Sequence, residues 1–191
     1  MKFLKPQKST SLDQDEVQIW VEQARQGDSR AFGYVYEHFL PLIYRFVYFR
    51  LSSKEDAEDL TEQIFLKVFK AMPKFNTQKS SFKTWIFTIA RHAVIDFYRT
   101  HKVTYELKEA MQISTEDYTE EEIDKQLALD KIMPVLKALP EEQSEVLALR
   151  FISGLSTSET AAIMKKSEGA LRILQHRALK ALKNDLEPII I

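Results

Sequence analysis

The sequence has no cysteine and only four glycines among its 191 residues. Without cysteine the chain can form neither a disulfide framework nor a thiolate metal site, and it has no cysteine nucleophile. The few glycines form neither GxGxxG nor GxxxxGK[ST], which argues against a phosphate-binding loop. Long apolar runs are also missing, because the most apolar stretch, residues 39–49, contains Arg45. We therefore expect a cytoplasmic protein with no signal peptide and no membrane span.

The charge is close to balanced overall but unevenly distributed. The formal net charge is −1, with 45% hydrophobic and 29% charged residues, which is ordinary globular composition. Residues 63–105 carry a net charge of +7 and residues 146–183 carry +5, whereas residues 106–145 between them carry −8. Two basic segments on either side of an acidic one point to polyanion binding better than the total does. Random clustering on solvated helix faces is the alternative.

Apolar residues recur at helical spacing, and alternating strand patterns are missing. The sequence therefore predicts an all-α fold with two small helical domains joined by a flexible linker. Capping signals at Asp28, at Ser53 and at either Ser80 or Ser81 predict helix starts in the first domain, and Pro41 is expected to kink or divide a helix. The predicted limits are a flexible tail at 1–14, a first domain at 15–101, a linker at 102–118, a second domain at 119–186 and a tail at 187–191.

A helix-turn-helix is predicted at about 157–183. Ser156 and Glu159 form a capping box for its first helix, and the small residue Ala161 lets a second helix approach closely. Ser167 is a natural N-cap for that second helix. Its polar side chains suit base edges and phosphates in a major groove. The predicted contacts are Ser167, Arg172, Gln175, His176, Arg177 and Lys180. An ordinary surface hairpin with solvated charges is the alternative.

Residues 75–105 interleave aromatic rings with cations, as single-stranded nucleic acid requires for stacking and phosphate contact. On a helix, Trp85, Thr88, His92 and Arg99 can share one side. The alternative is that the aromatic residues form a core. We expect the phenylalanines to be buried and Trp85 to be partly exposed. The predicted nucleic-acid contacts are Lys79, Lys83, Trp85, Thr88, Arg91, His92 and Arg99.

Five carboxylates lie within residues 55–62, at the start of a predicted helix. Acids there favour the helix dipole, so a purely structural role is possible, and so is an acidic face that binds a basic partner. The four histidines are far apart in sequence, and neither HExxH nor GxSxG occurs. We therefore expect no catalytic residues, no metal site and no cofactor.

Several segments together resemble one family. Residues 56–65 (DAEDLTEQIF), residues 82–91 (FKTWIFTIAR) and the LPEE, LRF and GLS motifs between residues 139 and 156 are similar, in order and spacing, to the extracytoplasmic-function (ECF) sigma factors of bacterial RNA polymerase. The resemblance extends over about residues 20–184. It implies a region-two domain and a region-four domain, and a protein that binds core polymerase and directs transcription initiation.

The resemblance also implies partners for each segment. The aromatic segment would capture the minus-ten promoter element, and the helix-turn-helix would recognise the minus-thirty-five element and touch the β flap. An anti-sigma factor is an expected further partner. The acidic helix would bind the β′ coiled-coil of polymerase through Asp56, Glu58, Asp59, Leu60, Glu62, Gln63 and Phe65.

The sequence departs from the family pattern at two places that bear on DNA recognition. His92 stands where asparagine is frequent, and residues 172–177 (RILQHR) replace a common Lys-Ser-Arg-Leu pattern. The promoter sequence therefore does not follow from the resemblance. A stand-alone helix-turn-helix regulator is the alternative function, and a helical interaction protein without DNA affinity is a third. A simple regulator would need neither the acidic helix nor the aromatic segment.

Overall fold

The computed structural model describes residues 14–108 and 138–190, and every regular element within these ranges is helical. This confirms the predicted all-α fold. The first unit contains four α-helices, α1 (Gln14–Arg25), α2 (Ser29–Leu51), α3 (Lys54–Ala71) and α4 (Phe82–Lys108), and a short 3-10 helix at Met72–Lys74. The second contains α5 (Glu141–Leu147), which continues as a π-helical turn over Ala148–Ile152, then α6 (Thr157–Met164) and α7 (Glu168–Ile190).

The helix starts follow the capping residues read from the sequence. The Asp28 carboxylate accepts hydrogen bonds from the backbone N–H groups of Arg30 and Ala31, at 2.8 and 3.2 Å. Ser53 Oγ caps α3 through Asp56 N at 3.3 Å, and Ser81 Oγ accepts from the N–H of the third residue of α4 at 3.1 Å. Side-chain oxygens satisfy backbone donors that a helix start leaves unpaired, which is why these positions begin helices.

Three helices are longer than the sequence indicated, and one of them is α7, which continues to Ile190 within the predicted tail at 187–191. Pro41 lies inside α2 and does not divide it. Helix α4 continues to Lys108, past the predicted domain end at residue 101. The predicted N-terminal tail, most of the linker and the start of the second domain (119–137) lie outside the described residues. The predicted domain limits stay predictions.

The first unit packs its helices around buried apolar side chains from all four of them, including Val35, Ile43, Phe46, Ile64 and Phe87. The second unit has its own buried residues, among them Leu149, Leu155, Ile163 and Leu171. The two units are also in contact, because α2 packs against the π-helical turn and α4 packs against α6. No helix in the described part of the chain is long and apolar enough to cross a membrane.

Candidate nucleic-acid interface

Helices α6 and α7 form the predicted helix-turn-helix. The capping box is present: Ser156 Oγ accepts from Glu159 N at 3.1 Å, and Ser156 N donates to Glu159 Oε2 at 2.7 Å. Helix α6 ends at Lys165, whose φ of +54° is the left-handed conformation that glycine usually adopts at this point. Ser167 Oγ then accepts from Ala170 N at 3.2 Å, which confirms Ser167 as the N-cap of α7.

The outer face of α7 carries most of the side chains predicted to contact duplex DNA. Its buried side holds Leu171 and Ala178, both fully covered. Arg172 is exposed and its Nη2 lies 3.2 Å from Glu168 Oε2, one turn earlier. The predicted residues that the structure exposes are Ser167, Arg172, His176, Arg177 and Lys180.

Gln175 is placed differently from the other predicted contacts. It is half-buried at the edge of α7, where its Oε1 accepts a hydrogen bond from Arg150 Nε at 3.2 Å. Arg150 also donates to the backbone carbonyl of Leu155. The carboxamide is therefore held by the π-helical turn, and its NH2 group takes no part in this contact.

Helix α4 carries, on one of its sides, several of the residues predicted to contact single-stranded nucleic acid. Because α4 is continuous, Trp85, Thr88, His92 and Arg99 follow helical spacing along that side. His92 and Arg99 are exposed, and Thr88 Oγ1 donates to the carbonyl of Thr84 at 2.7 Å. Lys79 is exposed in the loop before the helix.

Trp85 is the aromatic residue on the side of α4 that also carries His92 and Arg99. Its ring is half-buried and packs on Phe75 and Phe82, with centroid distances of 4.8 and 5.5 Å. Both phenylalanines are buried, and so is Phe87. The prediction that the phenylalanines are core and Trp85 is partly exposed is confirmed for these residues, whereas Phe97 is half-buried.

Two cations of the predicted site face the second unit instead. Lys83 Nζ donates to the carbonyl of Gly154 at 3.2 Å. Arg91 binds Glu145 with two hydrogen bonds, Nε to Oε1 at 2.5 Å and Nη2 to Oε2 at 3.3 Å. The side chain of Glu145 is only 6% exposed and that of Arg91 is 18% exposed. In this arrangement the Arg91 guanidinium is largely covered, and Lys83 uses one of its three ammonium donors within the chain.

Arg50 is an interface residue that the sequence did not reveal. Its side chain is 4% exposed, and its Nη1 donates to the carbonyl of Glu141 at 3.2 Å while Nη2 lies 3.7 Å from the Glu141 carboxylate. Its guanidinium carbon lies 5.8 Å from the centroid of the Tyr98 ring, and the Tyr98 hydroxyl donates to the Arg50 carbonyl. Burial raises the pKa of that hydroxyl above its usual value. An arginine in an apolar helix pattern gives no sign of a partner 91 residues away.

The acidic side of α3 differs from the prediction at two positions. Asp59, Glu62 and Gln63 are exposed, and Asp56 and Glu58 are half-buried. Leu60 and Phe65, each 4% exposed, belong to the core of the first unit, because they lie on the side of α3 that packs against α2 and α4. In this structure both side chains are therefore covered by the first unit itself. The exposed apolar residues of α3 are Leu66 and Phe69, at 58% and 53%.

The described residues contain no group of three or more histidine, aspartate or glutamate side chains arranged to hold a metal ion.

One histidine has a perturbed pKa. Burial lowers the pKa of His38 below its usual value, and the nearby Lys83 ammonium lowers it further.

Both units of the chain match models of known protein families. The family model for Sigma-70 region 2 matches residues 35–104, and that for Sigma-70, region 4 matches residues 135–184. The ECF RNA polymerase sigma factor ShbA of Streptomyces griseus is 31% identical over 174 residues, which cover 85% of this chain and 91% of ShbA. The ECF RNA polymerase sigma factor BldN of Streptomyces coelicolor is 36% identical over 85% of this chain, and the match spans 62% of BldN.

Solved structures share the fold. CnrH, in a complex with the cytosolic domain of CnrY, superposes with a TM-score of 0.71 at 24% identity, covering 91% of this chain and 99% of CnrH. RpoE of Bartonella quintana, in a complex with the anti-sigma factor NepR, gives a TM-score of 0.66 at 24% identity over 82% of this chain and 96% of RpoE.

The fold and its exposed faces define a two-unit, all-helical transcription protein with a DNA-reading helix-turn-helix. The chain belongs to the ECF RNA polymerase sigma factors, the class of transcription initiation factors that bind core polymerase and recognise promoter DNA.

Proposed function

We propose that this sigma factor uses three separate surfaces: the outer side of α3 for core polymerase, one side of α4 for the minus-ten element and the outer face of α7 for the minus-thirty-five element. The observation that carries this proposal is the exposed face of α7, where four exposed cations follow a capped helix start while the opposite side is buried. An N-terminally anchored helix with that division of charge suits a major groove.

The docking surface on α3 combines charge with exposed apolar area. Asp59 and Glu62 give it negative charge, and Leu66 and Phe69 give it apolar side chains that are more than half exposed. Large apolar groups rimmed by charge are typical of protein–protein interfaces. This combination supports the β′ coiled-coil of polymerase as the partner.

The minus-ten surface on α4 is only partly available when the two units are in contact. Trp85 and His92 face outward, but Lys83 and Arg91 are bonded to the second unit. We therefore propose that the units separate on core polymerase before the minus-ten strand is captured. An anti-sigma factor that stabilises the contact between the units would keep the protein inactive.

We assign no catalytic step to the chain, since its proposed role is to bring polymerase to a promoter. Because RNA polymerase is its proposed partner, the cytoplasm is its proposed place of action. The alternative function, a stand-alone DNA-binding regulator, leaves the exposed apolar residues of α3 without a role.

Reconstituted transcription tests the proposal. Core polymerase is incubated with the full chain and a library of promoter fragments, and transcripts are sequenced to locate their start sites. We expect initiation at a subset of fragments that share elements about ten and thirty-five base pairs upstream. Core polymerase without the chain is the control. Failure of the folded chain to bind core polymerase, or initiation at random sites, would exclude the sigma function.

A further inference from the structure

Ile173 is a large apolar side chain on the outer face of the DNA-reading helix α7. It is 57% exposed, whereas the apolar residues of the inner side, such as Leu171 and Ala178, are fully buried. The core of the helix-turn-helix is therefore complete without Ile173. Its exposed surface is available to another molecule, and an isoleucine side chain gains free energy when apolar atoms cover it.

Helix geometry places Ile173 at the centre of the proposed groove-facing surface. Residues four positions apart lie on the same side of a helix, so Ile173 lies between Gly169 and Arg177 along the axis, and His176 lies three positions on. Gly169 has no side chain, and the space beside its Cα is open. A base edge can therefore reach Ile173 from the N-terminal end of α7, the end that a recognition helix inserts into the groove.

The major groove offers an isoleucine one apolar group, the 5-methyl group of thymine. Arginine, glutamine and histidine on the same helix suit the polar base edges beside it. We infer that Ile173 contacts a thymine 5-methyl group in the minus-thirty-five element and makes thymine the preferred base there. This inference rests on the proposed function, and it adds a specificity-determining residue to that site.

Replacement of thymine by uracil tests the contact at the level of one methyl group. The wild-type holoenzyme first selects its preferred minus-thirty-five sequences from a randomised pool. Each thymine of the selected element is then replaced in turn by deoxyuridine, and open-complex affinity is measured. We expect a loss of about fourfold at one position, the value for one buried methyl group. Holoenzyme with Ile173→Ser should bind the thymine and uracil promoters equally, whereas holoenzyme with Ile173→Val should still bind the thymine promoter more tightly.

Leu179→Ser is the matched control, since Leu179 is also exposed (40%) and lies about 9 Å further along α7. It should discriminate thymine from uracil as the wild type does. The inference is overturned if the wild type selects no thymine, is indifferent to every uracil, or keeps its discrimination after Ile173→Ser; in each case the proposed function stands. A selection that returns no minus-thirty-five preference at all would instead overturn the reading of DNA by α7.

Discussion

Arg91 of α4 and Glu145 of α5 form a two-point ion pair across the contact between the two units, with Nε 2.5 Å from Oε1. Arg91 belongs to the basic segment predicted to bind nucleic acid, and Glu145 is the last acid of the segment that carries −8. The carboxylate thus occupies the guanidinium face that a DNA phosphate would take. The predicted contact of Arg91 with promoter DNA therefore requires that Glu145 releases the guanidinium.

Glu145→Gln is expected to loosen the contact between the units. The change leaves the mostly buried Arg91 without its charged partner, which should weaken the contact by about 1–3 kcal/mol. Because the chain has no cysteine, Gln23→Cys and Ala162→Cys allow specific labelling of one exposed site in each unit. Energy transfer between the two fluorophores should fall in Glu145→Gln.

Glu142→Gln is the control for this experiment. Glu142 pairs with Lys166 at 2.8 Å within the second unit, so its loss removes a more exposed ion pair that does not join the units. An equal fall in energy transfer for both variants would contradict a specific role of the Arg91–Glu145 pair.

Charge reversal on α3 is expected to weaken binding to core polymerase. Asp59 and Glu62 are the two exposed acids of the predicted docking face. The double variant Asp59→Lys, Glu62→Lys should raise the Kd for core polymerase at least about tenfold at low salt, since like charges at an interface cost several kcal/mol. Glu37→Lys, an exposed acid of α2, is the comparison. If fluorescence anisotropy gives the same Kd for the double variant and the wild type, α3 is not the docking helix.

Arg172→Ala is expected to weaken promoter recognition while leaving polymerase affinity unchanged. Its exposed guanidinium suits a bidentate contact with a base edge, whose loss costs about 1–3 kcal/mol of discrimination. Holoenzyme binding to matched and mismatched minus-thirty-five elements measures the effect. Arg45→Ala removes an exposed cation of the first unit and controls for net charge. A uniform loss over both promoters would assign Arg172 to phosphate contact only.

His38 should make the stability of the first unit depend on pH. Burial and Lys83 lower its pKa from the usual 6.5, so the unfolded chain binds more protons than the folded one below that pH. The contribution of neutral His38 to the free energy of unfolding is therefore fully present above about pH 6.5, and it is lost as the pH falls towards the lowered pKa. The urea midpoint of the wild type should therefore fall more than that of His38→Gln between pH 7.5 and 5. His176→Gln, at an exposed position, should follow the wild type.

Much of the fold could be predicted from local sequence signals. Asp28, Ser53, Ser81, Ser156 and Ser167 all begin helices in the structure, because capping depends on a side chain and a backbone group only two or three residues apart. The inner and outer faces of α7 also followed from spacing, since a helix repeats every 3.6 residues.

Positions at the edge of a buried face were less predictable. Leu60 and Phe65 were assigned to the docking surface but are core residues, while Leu66 and Phe69 are the exposed apolar residues of the same helix. Gln175 was assigned to DNA, but its carbonyl oxygen is held by Arg150. In each case the outcome depends on which neighbouring helix covers that edge.

The sequence by itself determined the helical class, the helix-turn-helix and the alternation of basic and acidic segments, because these are properties of neighbouring residues. Only the tertiary structure decided that Arg50, Lys83 and Arg91 bond to the second unit, with partners 54 to 91 residues away. Such pairs form when separate helices pack together, and no local pattern encodes which charges will meet.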